Sequence, residues 1–337
     1  MSGLDTLPDA PAVAQMVIAA TGDSPTDLRI VGQGVTAVAW RVEVDRAVEG
    51  GAYCVLVGLP KHGPESEWPG AGGQIAARAA VLSALRERDP RCPEVFGTAC
   101  SAGTPERLRR WSWIVTSWMR GAPLEDSAAM TSEVARELGG LLATLHSIPV
   151  SGHGLLADTA EELRGASDEP GTDFTSRWGR ALWPFDGRPL AAHPLVQVAP
   201  QLVLRVGQLR EQLLAYATQG ARGLCHSDFQ PAHVWVEDGH LAGLIDFGDA
   251  AVLPPATDLA LFASTYGWPM LEALLEGYAT NSVLRDIRRA EAYQLAVLVA
   301  LQRIEKYVRI RPDEARVRGA VEFLEATLPQ AARRMDA

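Results

Sequence analysis

Lysine is almost missing from this chain. Of 31 basic residues in 337, only Lys61 and Lys306 are lysines, and the other 29 are arginines. Pro60 precedes one lysine and Glu305 the other, which excludes a phosphate-binding loop of the G-x-x-x-x-G-K-[ST] type. Cysteine is scarce too. Cys54, Cys92, Cys100 and Cys225 form no C-x-x-C pair, which argues against a disulfide framework and structural zinc, so the four are expected to be buried thiols. Long apolar runs are lacking, the longest lying near Leu295–Leu301, far too short to span a bilayer. No Lys or Arg occurs in the first 28 residues, so neither a secretory n-region nor a transit peptide is visible and a cytoplasmic location is expected. G-x-S-x-G and H-E-x-x-H are absent, which removes the simplest support for serine hydrolase and zincin chemistry.

What is present is an acid excess, 41 Asp and Glu against 31 bases for a net charge of −10. It argues against nucleic acid as a partner and suits a cationic small substrate. A hydrophobic fraction of 47% with 21% charged residues describes a soluble globular chain, and the length suits two packed domains or one large one.

An apolar helical segment around Ala12–Ala20 opens the chain, and Leu28–Val31, Ala37–Val44 and Tyr53–Leu59 read as strands of an antiparallel sheet. Pro60–Gly73 is rich in Pro and Gly and reads as a loop; Gln74–Arg88 has helical spacing, and Trp113–Trp118 is another strand. Beyond Arg120-Gly121-Ala122-Pro123 the pattern turns helical, at Ser132–Ser147, Leu195–Gln219, Glu291–Val308 and Val317–Leu328. Gly152–Pro189 reads as short helices and loops. One hairpin interrupts the helices: His233–Glu237 and Leu241–Phe247 flank Asp238-Gly239, a dipeptide favoured in type I′ turns. A two-residue turn there puts His233 opposite Leu244 and Asp246 opposite Pro231. Asp228, His233 and Asp246 then converge at one end of a small sheet, which suits a divalent ion beside a separate base for a hydroxyl.

The run Leu224-Cys225-His226-Ser227-Asp228, the run Leu244-Ile245-Asp246-Phe247-Gly248-Asp249-Ala250 and then Ala256-Thr257-Asp258-Leu259-Ala260 resemble the antibiotic phosphotransferases of the aminoglycoside phosphotransferase family. The resemblance implies an α+β, protein-kinase-like fold in two lobes, a small antiparallel-sheet lobe over residues 1–117 and a larger, mainly helical one over 124–337, with a hinge at 118–123 and nucleotide in the cleft between. It also implies ATP or GTP with Mg2+ and transfer of the γ-phosphoryl to a hydroxyl of a small molecule, an aminoglycoside, macrolide or cationic peptide antibiotic. By motif position Asp228 orients or deprotonates the hydroxyl, His233 and Asp246 bind the metal, Asp258 braces the catalytic loop 226–233, and His226 is structural. His233 replaces the commoner Asn, as it tends to in the macrolide enzymes, which tend to use GTP.

The first domain matches less closely. Gly32, Gly34 and Thr36 resemble the turn that covers the nucleotide, and Ser117, Trp118 and Met119 the hinge that holds the purine. Gly58 stands where the family has its phosphate-binding cation, and Arg78 where the helix has its ion-pairing Glu. Either Lys61, oriented by Glu65 or Glu67, or Arg78 can replace that cation. If neither does, the chain is a nucleotide-binding pseudokinase; a kinase of an amino alcohol or sugar is the other alternative. Trp178, Trp183 and Phe185 lie where the family keeps its acceptor site, as core anchors or as an aromatic wall for substrate. Asp158, Glu161, Glu162, Asp168, Glu169 and Asp173 crowd the same region, as a solvated face or as partners for ammonium groups. A monomer or homodimer acting on a small molecule, without nucleic acid or membrane, is expected.

Overall fold

The computed structural model describes residues 7–34, 36–45, 51–59, 74–126, 130–159, 162–170, 183–185 and 187–332. The chain divides into two compact units, one of Met1–Ala129, Leu156–Arg164 and Pro231–Ala250, the other of Met130–Leu155, Gly165–Gln230 and Ala251–Ala337.

In the first unit, helix α1 (Ala10–Thr21) starts behind Asp9, whose side chain accepts the Ala12 N–H, and stops at Gly22 in a left-handed conformation. Strands β1 (Pro25–Gln33), β2 (Ala37–Val44) and β3 (Tyr53–Gly58) follow, then helix α2 (Ile75–Arg86) and strands β4 (Val95–Thr98) and β5 (Trp113–Ser117). The sheet is antiparallel in the order β1-β2-β3-β5-β4. Along β3, Tyr53, Val55 and Val57 are buried and their neighbours less so, the period of two expected of a sheet with one packed face. Val13, Met16 and Val17 of α1 join them, with Val42, Trp113 and Val115, in one apolar cluster. Each such large side chain stabilises the fold by about 1.5–3 kcal/mol. Strand β1 is longer than its apolar segment because pairing with β2 continues through two register shifts. The two-residue strand β6 (Ala122–Pro123) ends this part of the chain.

The second unit begins with α3 (Ser132–His146), capped by the Thr131 side chain on the Val134 N–H. Strands β7 (His153–Leu156) and β8 (Gly165–Ser167) follow. The expected single helix 195–219 is instead broken into α4 (Leu195–Val198), the 3-10 turn Pro200–Leu202, α5 (Val203–Gln208) and α6 (Arg210–Gln219). Pro200 supplies no N–H to continue a ladder. Strand β9 (Gly223–Cys225) leads to the hairpin β10 (Val234–Glu237) and β11 (His240–Leu244), which belongs to the first unit, where β10 pairs with β6. Asp238 and Gly239 both have positive φ, 51° and 85°, as a type I′ turn requires. A bulge between Trp235 and Val236 then shifts the register, so Val234 rather than His233 faces Leu244, and the His233 carbonyl accepts the Ile245 N–H at 3.0 Å.

Strand β12 (Ala251–Leu253) completes a four-stranded sheet, β8-β7-β12-β9, so the unit is less purely helical than its sequence suggests; strands this short carry no readable period. Helices α7 (Ala256–Tyr266), α8 (Trp268–Tyr278), α9 (Ser282–Glu305) and α10 (Glu314–Ala332) close the chain. Helix α9 starts well before Glu291 because ion pairs such as Arg289–Glu272 and Arg288–Glu291 hold its polar first turns; it gives way at Lys306 to a π-helical turn. Gly139 of α3 packs against the Leu274 carbonyl, and Gly277 of α8 against the Arg136 carbonyl. Any side chain at either position would strike backbone. Among the described residues no helix is long and apolar enough to cross a membrane.

Candidate active site

Within the second unit, the site grows from the end of β9. Asp258, in the first turn of α7, is fully buried, and its Oδ2 accepts the His226 N–H at 2.8 Å while Oδ1 accepts the Ser227 N–H at 2.7 Å. His146 Nε2 lies 3.0 Å from Oδ2, and His146 Nδ1 lies 2.8 Å from the Tyr278 hydroxyl. A buried carboxylate is stable only when so paired. Ser227 is held at φ 58°, a left-handed conformation costly for serine. The Asp228 N–H then donates to His226 Nδ1 at 3.2 Å, and Gln230 Nε2 donates to Asp228 Oδ2 at 2.8 Å. The His226 ring is therefore tied to the loop backbone.

Arg303 on α9 is a residue that sequence reasoning missed. Burial pushes its pKa down, and the Asp228 carboxylate is among the groups that raise it, while its Nη1 donates to the Ser264 carbonyl at 2.8 Å. No short-range pattern links it to Asp228.

Donor atoms of His146, Cys225 and Asp258 lie within 4.8 Å of one another. Both His146 nitrogens are engaged, however, and burial holds the Cys225 thiol protonated, donating to the Leu253 and Pro254 carbonyls at 3.5 Å. His146 thus belongs to the Asp258 brace, and Cys225 is spent on backbone carbonyls beside it. The expectation of four buried thiols needs correction at Cys100, which is exposed; at Cys54 the residue is partly exposed while its thiol is buried.

In the first unit, Asp246 follows β11 at φ 65°, a conformation that aspartate tolerates better than most residues. Its Oδ2 stands 3.4 Å from His233 Nε2. Two ligands at right angles on one Mg2+-sized ion stand about 3 Å apart, so the pair could hold a divalent cation with little movement. The other oxygen, Oδ1, lies 2.8 Å from Arg78 Nη1. Arg78 is buried in α2 and also reaches Thr36 Oγ1 at 3.4 Å. The N-terminus of α2 is fastened by Asp158, whose Oδ1 accepts the Ala76 and Ala77 N–H groups at 2.9 and 3.1 Å. Asp158, itself exposed, thus also caps a helix, a role no local signal could reveal across 82 residues.

Gly32 pairs with Ala39 on β2, and the Gly34 N–H donates to the Ala37 carbonyl at 2.9 Å, which folds the turn before β2. At the hinge, the Ser117 N–H donates to the Glu94 carbonyl and the Trp118 N–H to the Ala52 carbonyl, both at 2.9 Å. Among the described residues, the Met119 N–H, unlike those of Ser117 and Trp118, makes no such backbone bond. A cavity of about 220 Å³ lies beside the hinge, lined in part by Arg86, Arg91, Trp118, Met119 and Glu237. Trp183 is buried, 4% exposed. Lys61, Glu65, Glu67, Glu161, Asp173 and Trp178 lie outside the described residues.

The model of the phosphotransferase enzyme family matches residues 64–293. The chain belongs to that family. Viomycin phosphotransferase of Streptomyces vinaceus is 28% identical to this phosphotransferase over 255 residues, 71% of this chain and 80% of the relative. The crystal structure of aminoglycoside phosphotransferase APH(4)-Ia in ternary complex with AMP-PNP and hygromycin B superposes with a TM-score of 0.60 at 15% identity, covering 95% of this chain and 99% of that one. A candidate fructosamine-3-kinase from Thermobifida fusca gives 0.60 at 19% identity, covering 96% and 100%. These likenesses show that the phosphotransferase has the protein-kinase-like fold, a mixed architecture of antiparallel sheet and helices.

Proposed function

We propose that this phosphotransferase moves the γ-phosphoryl group of a nucleoside triphosphate, ATP or GTP, onto a hydroxyl of an antibiotic, and so confers resistance. The observation that carries the reading is the buried Asp258 carboxylate on the His226 and Ser227 amides, which holds a strained loop in a form that presents Asp228. Kinship with a viomycin phosphotransferase makes viomycin the first acceptor to test. The fructosamine-3-kinase neighbour shares only the fold, so it lends the metabolite-kinase alternative no comparable weight.

Asp228 aligns the acceptor hydroxyl and takes its proton as the phosphoryl group arrives, with Gln230 fixing one carboxylate oxygen. His233 and Asp246 hold Mg2+, which when bound neutralises charge on the β- and γ-phosphates. Gly32, Gly34 and Thr36 cover the phosphates through backbone N–H groups, and Met119 donates its N–H to the purine. Arg78 or Lys61 supplies the cation that Gly58 cannot. Residues 1–117 bind the nucleotide with the hinge at 118–123, and 124–337 carry the catalytic loop, the metal-binding hairpin and the acceptor site, to which Asp173, Trp178 and Trp183 belong.

A screen of NTP consumption with Mg2+ and viomycin, hygromycin B, a macrolide or a fructosamine tests this reading. Consumption dependent on an antibiotic supports it. Turnover of the fructosamine alone selects the metabolite kinase.

A further inference from the structure

We infer that Arg78 is a resident counter-ion of Asp246, a cation built into the chain that competes with the divalent ion for the same carboxylate. The inference rests on the proposed metal role of His233 and Asp246 and adds a competitor to it. Three observations support it. The Arg78 guanidinium reaches Asp246 Oδ1 at 2.8 Å from a side chain only 7% exposed, while Asp246 itself is 40% exposed; a divalent ion would thus reach Asp246 from solvent and find one oxygen already paired. A β-carbon on Gly248 would run into that guanidinium, so glycine at this position leaves the arginine its seat. Asp158 fastens the first turn of α2 and with it the direction from which Arg78 approaches.

A guanidinium presents a planar fork of donors that matches a carboxylate. A carboxylate shared with a fixed cation offers less charge to a second one, and an ion pair that must be broken or weakened before the metal can bind lowers the apparent affinity by the same factor. The divalent ion therefore binds this chain more weakly than its two ligands alone allow, and binding shifts Arg78 toward Thr36 and the phosphates. An ion pair between helix and metal carboxylate thus stands where the family's helix has its Glu.

The test uses the whole chain and Mn2+ alone, with free Mn2+ counted by its electron paramagnetic resonance signal and folding checked by circular dichroism. Arg78→Gln should bind Mn2+ roughly tenfold more tightly than the wild type, and Asp246→Asn should bind far more weakly. Gly248→Ala keeps the arginine but pushes it away, and should shift affinity in the same direction as Arg78→Gln; it answers the question if Arg78→Gln does not fold. Unchanged or weaker binding in both variants, with Asp246→Asn still impaired, overturns the counter-ion and leaves the metal site standing. Equal binding by Asp246→Asn and wild type overturns both.

Discussion

The Asp258 carboxylate lies 2.7 Å from the Ser227 amide nitrogen, and Ser227 has a backbone, φ 58°, that serine adopts only under support. Position and strain are coupled: the carboxylate satisfies two neighbouring amides and thereby fixes where the Asp228 side chain begins.

Replacing Asp258 by Asn turns one of its two acceptors into a donor facing an amide. We expect a loss of about 1–3 kcal/mol in stability for the unpaired buried group, read by urea denaturation, and a fall in kcat larger than any rise in nucleotide KM. Unchanged stability and turnover would remove Asp258 from the brace.

Asp158→Ala takes the cap from α2 and should cost about 1 kcal/mol. The same variant should raise the nucleotide KM, because α2 carries Arg78. Urea denaturation and steady-state kinetics measure the two effects, and a stable variant with wild-type KM contradicts the capping role.

Burial pushes the Cys54 and Cys92 thiols from their ordinary value near 9 up to about 12. In the unfolded chain they ionise near pH 9, so their contribution is complete below that pH and is lost as pH rises from 9 toward 12. Each thiol then lowers stability by about 1.4 kcal/mol per pH unit within that window. Urea denaturation from pH 8 to 10.5 should show a falling stability whose slope flattens in Cys92→Ala; parallel slopes would contradict this.

Gly139→Val should destabilise the second unit strongly, by about 3 kcal/mol or more, since its side chain meets the Leu274 carbonyl and overpacking against backbone cannot relax cheaply. Thermal melting measures the loss; an unaltered midpoint would mean that α3 and α8 are not packed this closely.

The fold class was legible because alternation in β2 and β3, the Asp238-Gly239 turn and the family-like runs are all short-range signals. Pairing counted outward from the turn fails where β11 carries an extra residue: Ala242, opposite the step from Trp235 to Val236, moves His233 off Leu244. Helix α9 was read too short because its first turns are held by arginine ion pairs with no apolar stripe to reveal them. At the site, Arg78 stood out as an odd residue, but its bond to Asp246 joins positions far apart in sequence, and the same holds for Asp158 on α2 and Arg303 near Asp228. Spacing can point to a residue type; only the folded chain shows what such a residue touches.

In the proposed reaction Asp228 serves the acceptor hydroxyl during phosphoryl transfer. This role is tested most directly by comparing wild type and Asp228→Ala for NTP-dependent phosphorylation of viomycin, followed by mass spectrometry of the product together with nucleotide binding by calorimetry. The wild type should give a product heavier by one phosphoryl group, and the variant should lose at least about a hundredfold in kcat with little change in nucleotide affinity. Near-normal turnover by Asp228→Ala would contradict this role.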